Sequence, residues 1–421
     1  MIDWGLSDAA VAALVRGAGR AGDSIAERDE AMARALWSVV VEPGDGDAGL
    51  LLSAVGAVEA ARILLERPAP ISLATATGGE LAGSAAERAL GRWLPRRRQT
   101  DLVRALESAA RSLARLLVPS DEEWPAALDD LGEHAPLALW SRGDATLLAR
   151  TSVALVGARA ATGYGEHIAM ELAAGAVGNE VAVVSGGAYG IDGMAHRAAL
   201  ASGGDTVAVL AGGVDRLYPA GHEALLTRIT EQGAIVSEAP CGTAPTRWRF
   251  LQRNRLIAAL ADATVVVEAG RRSGALSTAR HALALGRPVG VVPGPVTSAS
   301  SAGCHLMLRE HPVVCVTNVA EQMELVRGGI VGGDSAGQVD TGGGPRGAPD
   351  PDGMVTRVLD ALRPRRAQSV AELARAVGES SSRIRGVLGV LALEDRAVAK
   401  GEGWVKAVPS GRTRTAFTTE E

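Results

Sequence analysis

Four glycine-containing turns in the middle of the chain have residue types that could bind an anion. Each turn follows a short β-branched run and precedes a helical pattern, at residues 157–165, 186–190, 211–213 and 273–278. Glycines before a helix let backbone N–H groups point outward, and the helix N-terminus adds a partial positive charge. One such turn is as consistent with a tight strand-to-helix connection as with phosphate binding. Four turns on one sheet edge favour phosphate binding.

Arginine and aromatic residues are concentrated in the same region. Seven arginines and two acidic residues lie between residues 247 and 280, whereas the whole chain has a net charge of −5. The acidic total argues against a uniformly basic nucleic-acid-binding protein, but a local basic groove can exist on an acidic surface. All three tyrosines and Phe250 fall at the ends of predicted elements. Arginine can bind phosphate and stack on bases, and aromatic rings stack on bases of any sequence.

The turns lack the sequence of a nucleotide-cofactor site. The segment Gly157-Ala158-Arg159 has no second glycine of the G-x-G-x-x-G pattern, and no Walker lysine follows any turn. Three cysteines and seven histidines show no metal-ligand spacing. No nucleophile and base stand at a recognisable spacing. We therefore predict no cofactor, no metal and no catalytic residue.

The elements that position these turns predict an α/β fold. Apolar runs at 152–156, 180–185, 206–210 and 263–268 alternate with helical patterns, and residues 137–141 form a further candidate strand. This alternation is typical of an extended Rossmann-like, doubly wound, mostly parallel sheet. Ligands of such sheets bind at the carboxyl ends of the strands, where the glycine turns lie.

Composition changes along the chain predict a helical domain before the sheet and a winged-helix domain after it. Helical patterns occur at 8–14, 25–41, 50–65 and 101–117, with breaks at 43–44, 68–70 and 78–79. Near the C-terminus, patterns at 355–362, 369–377 and 380–393 predict three helices, and 397–405 predicts a hairpin. The predicted segments are an N-terminal all-α domain (1–117), a Rossmann-like domain (118–326), a flexible linker (327–353), a winged-helix domain (354–408) and a disordered tail (409–421).

The sequence also predicts the cellular compartment. The N-terminus shows no signal-peptide pattern, and no apolar run reaches membrane-spanning length. The three cysteines are typical of reduced thiols. We expect a cytoplasmic protein without a membrane partner.

A set of short motifs resembles one family in order and spacing. They are Val156-Gly157-Ala158-Arg159, Ser185-Gly186-Gly187-Ala188-Tyr189-Gly190-Ile191-Asp192, Leu217-Tyr218-Pro219, Ser237-Glu238, Phe250-Leu251-Gln252-Arg253-Asn254-Arg255, Glu268 with Ser273-Gly274-Ala275-Leu276, and Val292-Pro293-Gly294. This set, between about residues 124 and 318, resembles the DNA-processing protein A family (DprA, also called Smf). The chain departs from the family at Ala158, Leu251 and His222, where the family usually has Ser or Thr, Pro, and Asn.

The resemblance implies a function and a set of site residues. The family binds single-stranded DNA without evident sequence preference, dimerises, and helps load the RecA recombinase in natural transformation (competence) and homologous recombination. By resemblance, Arg159, Arg253 and Arg255 would contact phosphates, while Asp192 and His196 would brace the loop. The full predicted DNA-binding set is Gly157, Arg159, Ser185, Gly186, Gly187, Tyr189, Arg253, Asn254, Arg255, Ser273 and Gly274. We expect a homodimer with its interface between residues 303 and 319, and no enzyme activity.

Two other classes of function stay open. A Rossmann-like nucleotide-processing hydrolase could use Glu268 or Asp192 as a catalytic acid, although the Pro-Gly-Gly-x-Gly-Thr-x-x-Glu signature of phosphoribohydrolases is absent. A transcription regulator could read duplex DNA with the C-terminal winged helix. The predicted recognition helix carries only Arg383 and Arg385, so contact with a protein is at least as well supported as duplex binding.

Overall fold

A computed structural model describes residues 2–66, 68–328, 351–394 and 396–407. The described residues form two compact units, one within Met1–Arg346 and one within Gly347–Glu421. Most of the predicted linker and the whole predicted tail lie outside the described residues.

Helices dominate the part of the first unit that precedes the sheet. Ser7 caps the first helix, Ser24 and Glu27 form a capping box at the second, and Asp45 caps the third. The helices are α1 (Asp8–Gly17), α2 (Ile25–Val40), α3 (Gly46–Leu65), α4 (Pro70–Ala76), α5 (Gly83–Trp93) and α6 (Gln99–Ser112).

Two details of this region differ from the sequence prediction. Helix α4 begins at Pro70, a position predicted as a helix break, because proline is well suited to the first turn of a helix. The pattern predicted as helix to residue 117 ends at α6, where Leu113 adopts a left-handed conformation with φ 56°. The next residues, Arg115–Leu117, form a strand instead.

A nine-stranded sheet forms the centre of the described part of the first unit. Its strands are β1 (Arg115–Leu117), β2 (Leu139–Gly143), β3 (Ser152–Gly157), β4 (Ala182–Ser185), β5 (Thr206–Val209), β6 (Ala234–Ser237), β7 (Ala263–Glu268), β8 (Val289–Val291) and β9 (Val314–Cys315). The spatial order is β1-β2-β6-β5-β4-β3-β7-β8-β9. Strand β2 pairs antiparallel with both β1 and β6, and strands β3 to β9 are parallel to one another.

Helices cover both faces of the sheet, which confirms the predicted doubly wound α/β fold. The connecting helices are α7 (Gly163–Gly178), α8 (Ile191–Ala201), α9 (Glu223–Gln232), α10 (Arg247–Leu260), α11 (Ala275–Ala284), α12 (Ala302–Glu310) and α13 (Val319–Val326). Leu172, Ile191 and Met323 bury α7, α8 and α13 in one core. Leu256 and Met307 bury α10 and α12 in another core.

The N-terminal helices share a core with part of the sheet. Trp37 of α2 and Trp93 of α5 pack edge to face, with ring centroids 5.2 Å apart. Their cluster of buried side chains continues into Leu226 of α9 and Ile235 of β6. The N-terminal helices are therefore packed directly on the sheet layer that carries β5 and β6.

Helix α3 corrects the expectation that no apolar run is long enough to cross a membrane. Among the described helices, this one has 20 residues and contains an 18-residue stretch with a mean hydropathy of 1.7, which meet the length and composition of a membrane span. Its backbone breaks at Gly56, where φ is 78° and ψ is 162°. Leu51, Ala60 and Leu64 are buried in the core of the N-terminal helices, as in a core helix of a globular domain.

The described residues of the second unit contain three helices and a two-stranded sheet. Helices α14 (Pro351–Ala361), α15 (Val370–Val377) and α16 (Ser381–Leu393) are followed by the antiparallel strands β10 (Ala397–Lys400) and β11 (Gly403–Lys406). The capping box of α15 forms as its sequence predicts, with Ser369 Oγ accepting the Glu372 N–H. The helices and the hairpin lie close to their predicted positions, and the winged-helix assignment stays a prediction.

Candidate nucleic-acid interface

The turns that follow β3 and β4 lie against each other at the carboxyl edge of the sheet. The Ile191 N–H donates to the Ala158 carbonyl oxygen at 3.2 Å, which joins the start of α8 to the first turn. Gly190, with φ 73°, is so close that a Cβ there would lie 2.2 Å from that oxygen. The glycine at this position therefore serves the contact between two turns.

The first turn is closed by a carboxylate of the protein itself. Both oxygens of Glu268 accept hydrogen bonds from Thr162, one from its N–H and one from its hydroxyl, each at 2.9 Å. Thr162 caps α7, and Glu268 is buried at the end of β7. Thr162 has no predicted role in the sequence, because its partner lies 106 residues away in the chain.

The second turn contains a carboxylate as well. Asp192 Oδ2 accepts the Gly186 N–H at 3.2 Å, and the side chain is buried. Burial raises the pKa of Asp192, while the positive charges of Arg253 and Arg159 act in the opposite direction. Asp192 therefore braces this turn.

Arg253 reaches this turn from α10. Its guanidinium is buried and donates to the Gly186 carbonyl oxygen at 2.7 Å and to the Val209 carbonyl oxygen. A Cβ on Gly186 would lie 2.3 Å from Nη1 of Arg253, so this arginine occupies the space next to Gly186. Burial lowers the pKa of Arg253 to about 10, which leaves it charged at neutral pH. A direct phosphate contact by Arg253 stays a prediction.

Arg255 lies in a different environment. It is 4% exposed and forms an ion pair with Glu238, which also accepts the Gly44 N–H at 3.1 Å. Gly44 belongs to the connection between α2 and α3. This burial argues against the phosphate contact predicted for Arg255, because its guanidinium is shielded from solvent and already paired with the Glu238 carboxylate. We therefore propose an interface that does not include Arg255.

Asn254 connects α10 to the fourth turn. Its Nδ2 donates to the Gly274 carbonyl oxygen at 3.2 Å, and its Oδ1 accepts from Arg253 Nε at 3.3 Å. Ser273 is half-buried, and its hydroxyl accepts the Ala275 N–H at the start of α11 at 3.3 Å, while Gly274 is exposed. Asn254 therefore holds two edges of the predicted site together.

We call a group of four side chains the aromatic surface: Arg159, Tyr189 and Tyr218, which are exposed, and Phe250, which is half-buried. The Arg159 guanidinium carbon is 4.8 Å from the centroid of the Phe250 ring, and the Tyr218 ring centroid is 5.9 Å from that of Phe250. Tyr189 is 46% exposed, and its hydroxyl accepts the Gly221 N–H at 3.2 Å. Tyr218 is 50% exposed. Rings and an arginine in this arrangement can stack on bases and contact a phosphate.

The remaining predicted residues lie beneath the aromatic surface. Ser185 is fully buried, and its hydroxyl donates to the Leu155 carbonyl oxygen at 2.6 Å. Gly157 ends β3, and a Cβ there would lie 2.4 Å from Ile191. Gly187, with φ 67°, offers its carbonyl oxygen to His222 Nδ1 at 3.0 Å. The structure thus gives these three residues internal contacts.

His196 provides a pH-dependent contribution to stability in α8. Its Nδ1 lies 2.7 Å from the Thr206 hydroxyl, which donates to the Val183 carbonyl oxygen at 2.8 Å. Nδ1 therefore carries the proton, and the buried Nε2 has no partner among the described residues. Burial lowers the pKa of His196 from 6.5 to about 3.

The shift predicts lower stability in mild acid. Between pH 6.5 and pH 3 the unfolded chain binds a proton at His196 that the folded protein does not bind, so stability falls as pH falls. This group changes the free energy of unfolding by at most about 1.4 kcal/mol per pH unit. The measurement is urea unfolding at pH 7.5 and pH 5.5. Between these two pH values, we expect His196→Asn, which cannot titrate, to lose less stability than the wild type. Equal losses in both proteins would contradict a buried neutral histidine.

Comparisons with known proteins agree with this architecture. The family model described as DNA recombination-mediator protein A matches residues 115–327. The DprA protein of Mycobacterium tuberculosis is 45% identical over 388 residues, which cover 89% of this chain and 94% of that protein. The DNA processing protein DprA of Streptococcus pneumoniae is 38% identical over 190 residues, which cover 45% of this chain and 67% of that protein. The X-ray structure of DprA from Streptococcus pneumoniae aligns with a TM-score of 0.54 and 27% identity, covering 70% of this chain and 96% of that chain. Because the match to the mycobacterial protein extends over almost its full length, the chain belongs to the DprA/Smf family of DNA recombination-mediator proteins.

Proposed function

We propose that the protein binds single-stranded DNA on the aromatic surface and acts in DNA processing and recombination. The observation that carries the proposal is the exposed Arg159 guanidinium over the Phe250 ring, beside the exposed Tyr218. Stacking on such rings is independent of base sequence, and unpaired bases expose their faces. Duplex bases are already stacked on one another, so this surface favours a single strand.

Two variants separate the roles of charge and stacking. Arg159→Ala should weaken binding to labelled oligothymidine and reduce the salt dependence of the affinity by about 0.7 log unit per log unit of salt, the effect of one phosphate contact. Phe250→Ala should cost about 1–3 kcal/mol of binding free energy with little change in the salt dependence. The measurement is fluorescence anisotropy across a salt titration, with oligothymidine and a mixed-sequence duplex.

The control for both variants is Arg104→Ala. Arg104 is an exposed arginine of α6 with a surface ion pair to Asp101. Its loss should leave DNA affinity unchanged. Tighter binding to the duplex than to the single strand, or unchanged single-strand affinity in both Arg159→Ala and Phe250→Ala, would refute the proposed surface.

We further propose that the bound strand is delivered to the RecA recombinase, without catalysis by this protein and in the cytoplasm. The support is membership of a family described as recombination mediators. If this is correct, adding the protein to single-stranded DNA should accelerate D-loop formation by RecA, and Phe250→Ala should reduce that acceleration. If the protein still binds the strand but does not accelerate D-loop formation, the proposed delivery to RecA is wrong and the proposed DNA binding stands.

We propose that the protein forms a homodimer through residues 303–319. The support is β9, an edge strand of the nine-stranded sheet whose residues Val314 and Cys315 are exposed. Exposed edge strands are suited to pairing between chains. Sedimentation velocity should give a dimer in the wild type and a monomer in Val314→Pro, and a monomeric wild type would contradict this interface.

A further inference from the structure

The crevice where a Rossmann-like sheet holds its ligand is located between β3 and β7. Next to β3, the sheet continues through β4, β5 and β6 in one direction and through β7, β8 and β9 in the other. The strand order therefore reverses direction between β3 and β7. Ligands of open α/β sheets bind at such a point, outside the carboxyl ends of the strands. Here β3 ends at Gly157 and β7 ends at Glu268.

Glu268 occupies this crevice at the N-terminus of α7. Its two carboxylate oxygens accept the Thr162 N–H and hydroxyl at 2.9 Å, and the side chain is 3% exposed. A Cβ on Gly165, in the first turn of α7, would lie 2.4 Å from Oε2. Helix α7 has 16 residues, and the N-terminus of such a helix is the position that attracts a phosphate.

The neighbouring turn repeats the arrangement independently. Asp192 Oδ2 accepts the Gly186 N–H at 3.2 Å in the turn between β4 and α8. Two adjacent strand-to-helix turns of the sheet therefore hold acidic side chains where nucleotide-binding folds hold phosphates.

We propose that Glu268 is an internal anion that takes the place of a ligand phosphate and makes the protein select a DNA strand over free nucleotides. A nucleotide phosphate in the crevice would have to displace a buried carboxylate of the same sign of charge. Phosphates of a strand avoid this conflict, because the Arg159, Tyr189 and Tyr218 side chains of the aromatic surface are exposed to solvent, whereas Glu268 is buried. The choice of a strand as the ligand rests on the proposed function, whereas the exclusion of free nucleotides does not.

Anion rescue tests the proposal without DNA. In Glu268→Ala, removal of the side chain leaves the Thr162 donors and the helix N-terminus open. Sodium acetate or sodium phosphate should therefore raise the Tm of this variant by about 2–4 °C, with saturation, relative to sodium chloride at equal ionic strength. Wild type and the surface control Glu59→Ala should show no such difference. The isosteric Glu268→Gln should also show none, because its amide still fills the space.

Each outcome decides the proposal. A folded Glu268→Ala variant that responds equally to acetate, phosphate and chloride would overturn it. If that variant does not fold, the wild type still provides a test, because millimolar dTMP or ATP should leave its Tm unchanged. A saturable rise of the wild-type Tm with either nucleotide would overturn the proposal. Failure of single-strand binding would instead refute the proposed function and leave these results unaffected.

Discussion

Replacing Arg255 with alanine is expected to lower the free energy of unfolding by about 3–5 kcal/mol, because it leaves the buried Glu238 without its counter-charge. The two side chains are 5% and 9% exposed. Among the described residues, the hydrogen-bond donor left to Glu238 would be the Gly44 N–H. The measurement is urea unfolding of the full chain at pH 7.5. Arg62→Ala is the matched control, because Arg62 pairs with Glu59 at 3.0 Å on the surface and should contribute less than about 1 kcal/mol.

The loss in Arg255→Ala should decrease in acid. Burial already raises the pKa of Glu238, and Arg255 acts in the opposite direction. Without Arg255 the folded pKa rises further, so the folded protein binds a proton more readily than the unfolded chain does. Stability linked to this proton is present at low pH and is lost as pH rises through the folded pKa. A destabilisation that is the same at pH 7.5 and pH 5, or as small as that of Arg62→Ala, would contradict a buried pair.

The burial of Arg255 also affects which substitutions can test DNA binding. A variant that changes Arg253 and Arg255 together would remove a support of the second turn and a buried ion pair, in addition to any phosphate contact. Reduced DNA binding in that variant would therefore not identify the interface. Arg159 is exposed, so its substitution tests the interface with little structural cost.

The sequence predicts the central strands of the sheet because the relevant signals are local. The apolar runs before the glycine turns correspond to β3, β4, β5 and β7, and the capping box at Ser369 marks the start of α15. These features depend on neighbours within a few residues. The same holds for the placement of tyrosines and Phe250 at element ends, which favours an aromatic surface.

The details of the site depend on contacts between distant segments. Periodicity shows that Arg253 and Arg255 lie on α10, but their burial is set by Gly186, Glu238 and the connection at Gly44. The glycine turns suggest open phosphate sites, whereas Glu268 fills the first turn from the end of β7. An anion-binding turn and a turn closed by a distant carboxylate have the same local sequence, so only the fold distinguishes them.

Glu42 joins the N-terminal helices to the helix that carries Phe250. It follows α2 and accepts two hydrogen bonds from Arg249 of α10, from Nε at 3.0 Å and from Nη2 at 2.7 Å. Arg96 approaches the same carboxylate at 2.9 Å. The side chains of Glu42 and Arg249 are each 11% exposed. One carboxylate thus neutralises two largely buried arginines, Arg249 in the first turn of α10 and Arg96 after α5.

Glu42→Ala is therefore expected to lower the free energy of unfolding by about 3–5 kcal/mol, since it leaves two arginines close together without this counter-charge. It should also weaken oligothymidine binding by the folded protein, because Arg249 precedes Phe250 in α10 and Glu42 itself is not part of the aromatic surface. Urea unfolding measures the first effect, and anisotropy at a temperature where the variant is folded measures the second. Glu59→Ala, which removes the carboxylate of a surface pair, is the control for both. Wild-type oligothymidine affinity in a destabilised Glu42→Ala variant would show that the N-terminal helices stabilise the fold without positioning the DNA surface.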